Sequence, residues 1–428
     1  MKYFWYFIYN SFLLPIMVFI GIIGVFFNKK IREGFLGRFY TNRKLDDYIS
    51  SLHGNTHTIY WFHVSSHGEL LQTKPVLEGL KEIEPHVKII VSFFSPSGYN
   101  NTNDKIIDCK IYLPFDFPWL VKKTLKKIKP KKLIIASYDI WPNLIWKAKT
   151  LNIPTVLFAA KFKRRTKKLM PLVKSFYQNI YNNFYSIYTI TKNDNKKLQL
   201  ILKNPNKIIS RVLGNPRYDQ VNKVLDQYSI EHTKHILKRK KNIILGSMHN
   251  EDMNNIIDGL IETINDNSNV SVIWVPHEPL PENVNSVYDY FLNKGYSVAL
   301  YSKQNGSFIN HARIIIVDTI GVLSQIYWDG IIAYIGGGFT TGIHNVMEPA
   351  IARLPVIFGP KYDNFQEAIE LIDSEGGWSI NNNKEFYNIV NKLINNEKFL
   401  LNASKAATDV IHNNIGAATR VVRAIIRD

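Results

Sequence analysis

Gly336-Gly337-Gly338-Phe339-Thr340-Thr341-Gly342-Ile343-His344-Asn345-Val346-Met347-Glu348-Pro349-Ala350 follows the apolar run Ile331 to Ile335 and is stopped near Leu354-Pro355. The run reads as a buried parallel strand, so the segment spells a strand, a glycine turn and a helix start. Glycines let backbone N–H groups approach a ligand closely, and the positive end of a helix favours an anion such as phosphate. The spacing is not the dinucleotide G-x-G-x-x-G, because His344, Asn345 and Glu348 stand where that fingerprint has no such residues. Glu348, one turn into the helix, is placed to accept hydrogen bonds from a ribose diol. A tight turn joining strand to helix explains the same residues without a ligand, and the stretch alone does not separate the two readings.

The alternation repeats on both sides. Ile59 to Val64, Val87 to Phe94, Lys132 to Ser137, Pro154 to Ala159 and Ser186 to Thr191 are short apolar or β-branched runs. Segments with helical spacing lie between them, such as Glu69 to Ile83 and Pro118 to Ile128. A second series comprises Asn242 to Leu245, Val270 to Val275, Tyr296 to Leu300, Arg313 to Val317, Ile331 to Ile335 and Val356 to Phe358. Such alternation predicts parallel β-α units with helices on both sheet faces. The polar stretch Gln220 to Lys241 separates the series, so the expected fold is α/β, two doubly wound domains facing a cleft. Ligands in such sheets bind beyond the carboxyl ends of the strands.

With 428 residues the chain is long enough for two cores, and 46% hydrophobic content excludes a disordered protein. The formal net charge of +18 is concentrated in the first half and predicts a polyanionic partner: nucleic acid, an acidic membrane or a phosphorylated substrate. No recognised nucleic-acid module accompanies the charge, so nucleic acid is not expected. Cys109 is the only cysteine, which excludes an intramolecular disulfide and a cysteine-based metal site. Tyr3 to Phe27 is almost wholly apolar, interrupted by Asn10, Ser11 and Pro15. As a helix it would span roughly 37 Å, enough to enter or cross a bilayer. Lys29, Lys30, Arg32, Arg38, Arg43 and Lys44 follow at once and hold the rest of the chain on the cytoplasmic side. A signal peptide and a buried core helix are the rival readings.

Several predicted strand ends carry polar residues. His63-Val64-Ser65-Ser66-His67-Gly68-Glu69 ends the first strand and puts Glu69 in the first turn of the next helix. A carboxylate there is either a partner for the helix dipole or a candidate base. His63, His67 and Glu69 also admit a metal reading, but the spacing is not His-Glu-x-x-His, and no metal is expected. Asp139 and Trp141 in Ser137-Tyr138-Asp139-Ile140-Trp141-Pro142-Asn143 would hold an acceptor or close the sheet end. Lys161-Phe162-Lys163-Arg164-Arg165-Thr166-Lys167-Lys168 is either a solvated face or a receptor for phosphates and acidic lipid. Gly246-Ser247-Met248-His249 and Pro276-His277-Glu278-Pro279 end strands of the second series, beside Gly336 to Gly338.

Together these motifs resemble the 3-deoxy-D-manno-octulosonate (Kdo) transferase family, membrane-anchored glycosyltransferases of lipid A assembly with the two-domain GT-B fold. The resemblance is carried by the apolar N-terminus, Ser65 to Glu69, Phe94-Ser95-Pro96-Ser97-Gly98-Tyr99, Leu113-Pro114-Phe115-Asp116 and Trp141-Pro142-Asn143. Gly214-Asn215-Pro216-Arg217-Tyr218-Asp219, Asp318-Thr319-Ile320-Gly321, Gly336 to Pro349, Phe358-Gly359-Pro360 and Asn364-Phe365 complete it. His67, Ser137 and His277-Glu278-Pro279 depart from the family's usual residues.

The resemblance implies transfer of Kdo from CMP-Kdo to a lipid A precursor (lipid IVA) in lipopolysaccharide biosynthesis, with inversion, no cofactor and no required metal. It implies Glu69 as general base. It implies a donor site of Arg217, Gly246, Ser247, His277, Gly336, Gly337, Gly338, Asn345 and Glu348, with the phosphate at the glycines and the following helix. The acceptor side would use Ser65, Ser66, His67, Gly68, Asp139, Trp141, Lys161, Lys163 and Arg164. Expected boundaries are a membrane anchor at 1–28, an acceptor-binding Rossmann-like domain at 29–219 and a linker at 220–241. A CMP-sugar-binding Rossmann-like domain follows at 242–404, and a C-terminal helix at 405–428 packs back on the first domain. The expected location is the cytoplasmic face of the inner membrane. A GT-B enzyme using a UDP-sugar, and a non-catalytic membrane-tethered binder of anionic lipid, are the competing functions.

Overall fold

The computed structural model describes residues 2–52, 57–163, 166–227, 235–304 and 312–428. They form two compact units, 1–220 with 416–428, and 221–415. Each unit is built on a seven-stranded sheet whose pairs are all parallel.

In the first unit the strands are β1 (Ile59–Val64), β2 (Lys88–Phe93), β3 (Cys109–Tyr112), β4 (Lys132–Ala136), β5 (Thr155–Ala160), β6 (Ser186–Thr189) and β7 (Ile209–Val212). Their order is β3-β2-β1-β4-β5-β6-β7. All six residues of β1 are buried, because helices cover both faces of a parallel sheet. Trp61, Ile90 and Leu133 are in register and pack on one face with Leu45, Val121 and Ile145. Tyr60, Phe62 and Val64 point the other way, against Leu77, Leu80, Val421 and Ile425. The last two come from the final helix, Ala417–Arg427, which therefore completes the first unit's core. Gly416, at φ +85°, makes the turn into it, and the Asp219 carboxylate accepts the N–H groups of Gly416 (2.7 Å) and Ala418 (3.0 Å).

The second unit contains β8 (Asn242–Met248), β9 (Ser271–Pro276), β10 (Val298–Leu300), β11 (Ile314–Ile316), β12 (Ile332–Ile335), β13 (Val356–Phe358) and β14 (Gly377–Ser379). The order is β10-β11-β9-β8-β12-β13-β14. Pairing shifts register near the carboxyl ends of β5 and β8, where Ala159 (φ +50°) and Ser247 (φ +55°) adopt left-handed backbone. Such bulges re-aim the residues that follow and cost of order 1 kcal/mol or more each.

The structure differs from the sequence reading at three places. Lys405 does not open a helix: it lies inside Glu397–His412, which belongs to the second unit, and Ala417–Arg427 is separate. The polar stretch 220–241 begins as helix, since Arg217–Gln227 runs through it, and residues 228–234 lie outside the described residues. The helix expected directly after Gly338 starts only at Met347 and is five residues long.

Tyr3–Phe27 is long and apolar enough to cross a membrane, with mean hydropathy 2.2 and 6% of its apolar window buried. One edge of it is fixed to the first unit. Trp5 donates to Ser175 (3.0 Å), Tyr9 to Asp116 (2.9 Å), and Asn10 exchanges hydrogen bonds with Asn143 (3.2 and 2.8 Å). One wider π turn, Tyr9–Leu13, lies at these contacts. Phe19 (63% exposed) and Phe26 (73% exposed) face away from the protein. Replacing both by Lys is expected to lower recovery in the membrane fraction at low and high salt while leaving the melting temperature in detergent within a degree or two. A core helix would show the reverse, a large stability loss with unchanged fractionation.

Candidate active site

The chain leaves β1 at Val64 and turns through Ser65 and Ser66 into the helix His67–Ile83. The Ser66 side chain does not cap that helix. Instead Glu69 reaches back, its Oε2 accepting the Ser65 N–H at 2.6 Å, as a carboxylate in a first turn does. Oε1 has no hydrogen-bond partner among the described residues, and Glu69 is only 9% exposed. Burial pushes its pKa up to about 7; the Ser65 amide opposes the rise, the Asp139 charge adds to it and His63 lowers it.

His63 and Asp139 form the second layer. Fully buried, His63 meets Ser92 through Nδ1 (3.0 Å to Oγ) and Asp139 Oδ2 through Nε2 (3.0 Å). Both ring nitrogens are thereby occupied, so His63 is not a metal ligand with His67 and Glu69. Burial raises the pKa of Asp139, but His63, through its hydrogen bond and its electrostatic attraction, outweighs it and holds the group below the usual carboxylate range. Adjacent carboxylates are thus tuned in opposite directions, Asp139 ionised and Glu69 near neutrality. Trp141 stacks on Phe94 (5.0 Å, 25°), over which the Arg38 guanidinium lies at 4.5 Å. One turn along the helix, Gln72 accepts from Ser137 Oγ (2.8 Å) and donates to Asn215 Oδ1 (2.6 Å). His67 Nδ1 is buried without a partner.

Ser65, Ser66, His67, Gly68, Asp139 and Trp141 thus gather about Glu69. Lys161 and Lys163 follow β5, and the Lys163 carbonyl accepts from Lys197 (3.1 Å); Arg164 lies outside the described residues. Sequence reasoning missed Arg38, Phe94, Gln72 and Asn215 as neighbours. The only signal was that the latter three sit on or beside segments already singled out.

In the second unit Gly336, Gly337 and Gly338 follow β12 as expected, and the N–H groups of the first two are spent on the fold. Gly336 N donates to Gly246 O (2.9 Å), and Gly337 N to Asp252 Oδ2 (2.7 Å). A side chain at Gly336 would strike Ser247 O, and one at Gly338 would come within 2.5 Å of Gly359 N. Close packing of β8, β12 and β13 therefore explains two glycines that the sequence reading assigned to phosphate. Gly246 makes room for Tyr327. Asn345 donates to Glu348 (2.6 Å) and accepts from Met347 N (3.1 Å). Arg217 opens its helix in the first unit, its N–H donating to Asn215.

Ligating atoms of His249, His277 and His344 lie within 4.8 Å of one another. Nε2 of His249 and of His344 are 2.8 Å apart in rings only 5° from parallel, so one donates a hydrogen bond to the other. Those lone pairs oppose rather than converge, which suits a hydrogen bond better than a shared ion. His277 stacks on both rings. Burial and the neighbouring imidazoles lower His277, and lower His344 to about 4, so these two are neutral at physiological pH.

A family model described as 3-deoxy-D-manno-octulosonic-acid transferase (kdotransferase) matches residues 36–220. The 3-deoxy-D-manno-octulosonic acid transferase of Haemophilus influenzae is 26% identical over 98% of this chain and 97% of its own. That of Aquifex aeolicus is 26% identical over 79% of this chain and 86% of its own. Over nearly its whole length the chain is thus similar to Kdo transferases. Its fold is GT-B. A solved UDP-GlcNAc 2-epimerase from Neisseria meningitidis has the same fold, with TM-score 0.62, 14% identity, and coverage of 87% of this chain and 100% of that one. The family-model match spans β1, Glu69, Asp139 and Arg217.

Asp252 is the residue whose loss should disturb the second unit most. Fully buried, it accepts from Tyr334 OH (2.9 Å), Gly337 N and His249 N (3.2 Å). Asp252→Ala leaves these donors unpaired and is expected to cost about 3 kcal/mol or more. Denaturant unfolding measures it, and a loss below about 1 kcal/mol would show the turn does not rely on this carboxylate.

Proposed function

We propose that this chain transfers Kdo from CMP-Kdo to a lipid A precursor with inversion at the anomeric carbon, Glu69 acting as general base. The observation that carries the reading is the buried Glu69 carboxylate, oriented through one oxygen by Ser65, unpaired at the other and raised to about 7. Similarity to Kdo transferases supplies the reaction class.

Glu69 Oε1 takes the proton of the acceptor hydroxyl as the oxygen bonds to the sugar carbon and the bond from that carbon to the CMP phosphate breaks. CMP departs with the bonding pair, and attack from the opposite face inverts the centre. Asp139 stays ionised beside His63 and lends negative charge near the sugar, whose transition state resembles an oxocarbenium ion. The donor's CMP is assigned to the strand ends of the second unit, where neutral His277 and His344 offer hydrogen bonds rather than charge. Arg217 is assigned to the donor phosphate, and Lys161 and Lys163 to the acceptor's acidic groups. Tyr3–Phe27 is assigned to the bilayer. Exposed Lys29, Lys30 and Arg32 just after it favour the cytoplasmic leaflet.

Purified enzyme should release CMP from CMP-Kdo in the presence of lipid A precursor and bind CMP in preference to UDP; the opposite preference would favour the UDP-sugar alternative. Single-turnover transfer should rise with pH through about 7 as Glu69 ionises, and Glu69→Gln should lower it by roughly 100-fold or more at every pH.

Stability should move the other way. The folded-state pKa of Glu69 lies above its ordinary 4.5, so the folded form binds the proton more tightly, and stability present below pH 4.5 is lost as pH rises through 7. The shift corresponds to about 3 kcal/mol. Glu69→Gln is therefore expected to melt above wild type at pH 8, with the gap closing at pH 5. A variant that is less stable than wild type at pH 8 would assign Glu69 to helix capping alone.

A further inference from the structure

A cavity of about 480 Å³ lies in the first unit, between the two N-terminal helices and the loops that follow β2, β3 and β4. Its volume is that of a ligand site rather than a packing fault. Leu14, Met17 and Gly21 form one wall, and Ile31 and Phe35 of the helix Lys29–Gly37 form another. The wall from Tyr3–Phe27 belongs to the helix whose outer face is exposed and apolar. A hydrocarbon chain can pass from the bilayer into this space without crossing water.

Another part of the cavity wall borders the active site. Trp141 and Ser95 line it. Trp141 lies two residues beyond Asp139 in the loop after β4, and Ser95 N donates to Ser65 O at 2.8 Å, next to the amide that holds Glu69. Three charged residues line the cavity. Asp116 is saturated by Tyr9, Asn143 N and Leu144 N and faces no ligand. Arg38 and Lys30 are cations; Arg38 is fixed by donating to the Phe94 carbonyl (2.8 Å). An occupant must therefore be apolar along its length and anionic where it meets these two cations.

We propose that the cavity holds one acyl chain of the acceptor glycolipid, with Arg38 and Lys30 facing its acidic head group. The assignment rests on the transferase reading above and adds to it a determinant of acceptor specificity. The wall that borders the Glu69 turn favours the acceptor as occupant over a bilayer phospholipid, because the acceptor's reacting hydroxyl must lie at Glu69 while its acyl chains extend toward the apolar helix.

Filling the cavity tests the assignment. A side chain at Gly21 would meet only the Phe35 ring, at 3.5 Å, and Met17 is 46% exposed, so Gly21→Leu and Met17→Trp are compatible with folding, which a melting curve verifies. Kinetics are measured with two acceptors, the acylated lipid A precursor and the same phosphorylated disaccharide stripped of its acyl chains. The expected result is a KM about 10-fold higher for the acylated acceptor, equivalent to about 1.4 kcal/mol of lost binding, with kcat little changed. Constants for the deacylated acceptor should stay at wild-type values. Equal effects on both acceptors, or none on either, would overturn the proposal. So would phosphatidylglycerol competing as strongly as unlabelled acceptor at equal mole fraction, which would assign the cavity to bilayer lipid. A wild-type enzyme idle toward both acceptors would overturn the transferase reading, and the occupant with it.

Discussion

Buried carboxylates at the carboxyl ends of parallel strands hold this protein's loops in place. A parallel sheet sends every strand-to-helix connection over one edge, where backbone N–H groups leave the ladder and need acceptors. Asp116 takes the N–H groups of Asn143 and Leu144 with the Tyr9 hydroxyl. Asp194 takes Phe162 N and Thr191 N, and Asp252 takes Gly337 N and His249 N. Glu69 follows the same pattern with one difference: it receives a single donor, and one oxygen is left over. Asp116 is also pushed up to about 7 by burial, yet with three donors it has no capacity to spare. A raised pKa therefore does not by itself distinguish a base from a brace; the unspent lone pairs do.

The same edge explains which features were legible in the sequence. Central strands are covered on both faces and spell continuous apolar runs, so β1, β2, β4, β5 and β6 are readable. β3, β7 and β14 escape a reading by hydrophobic runs: Lys110 interrupts the first, Ser210 with Arg211 the second, and β14 offers only Gly377-Trp378-Ser379. Glu69 could be singled out because Gly68 and a helix start follow a strand. Its pairing with a His63–Asp139 couple could not, since those two are 76 residues apart and meet only because β4 lies beside β1. Gly336 to Gly338 show the converse limit. Glycine marks close approach of backbone to something, and only the packing of Ser247 and Gly359 shows that the something is largely the protein itself.

The N-terminal helix gains meaning from residues that look like flaws in a membrane span. Asn10 interrupts the apolar run, and Trp5 and Tyr9 carry polar atoms. In the structure these groups face Ser175, Asn143 and Asp116, so these three side chains are satisfied by the domain rather than by lipid. The remaining surface is left apolar and outward, with Phe4, Phe7, Phe12, Phe19 and Phe26 exposed. Asp116 couples the two roles, because the carboxylate that accepts from Tyr9 also orders the start of the helix Pro142–Thr150, directly after Trp141.

That coupling bears on how a soluble active site works on a lipid. A helix joined by a flexible linker would fix only the distance from the bilayer, leaving the catalytic groups free to tumble. Here Asn28 leaves the first helix and caps the next, its side chain accepting from Lys30 N (2.9 Å) and Ile31 N (3.1 Å), so the connection has no slack. The second helix leads to Arg38, which donates to the Phe94 carbonyl; the Phe94 ring stacks on Trp141, two residues along the same loop from Asp139, and Asp139 meets His63. The orientation of Glu69 relative to the exposed aromatic surface of Tyr3–Phe27 is thus fixed by the same contacts that fix its neighbours, and on the proposed reading much of the entropy of aligning the acceptor with its base is removed when the chain folds.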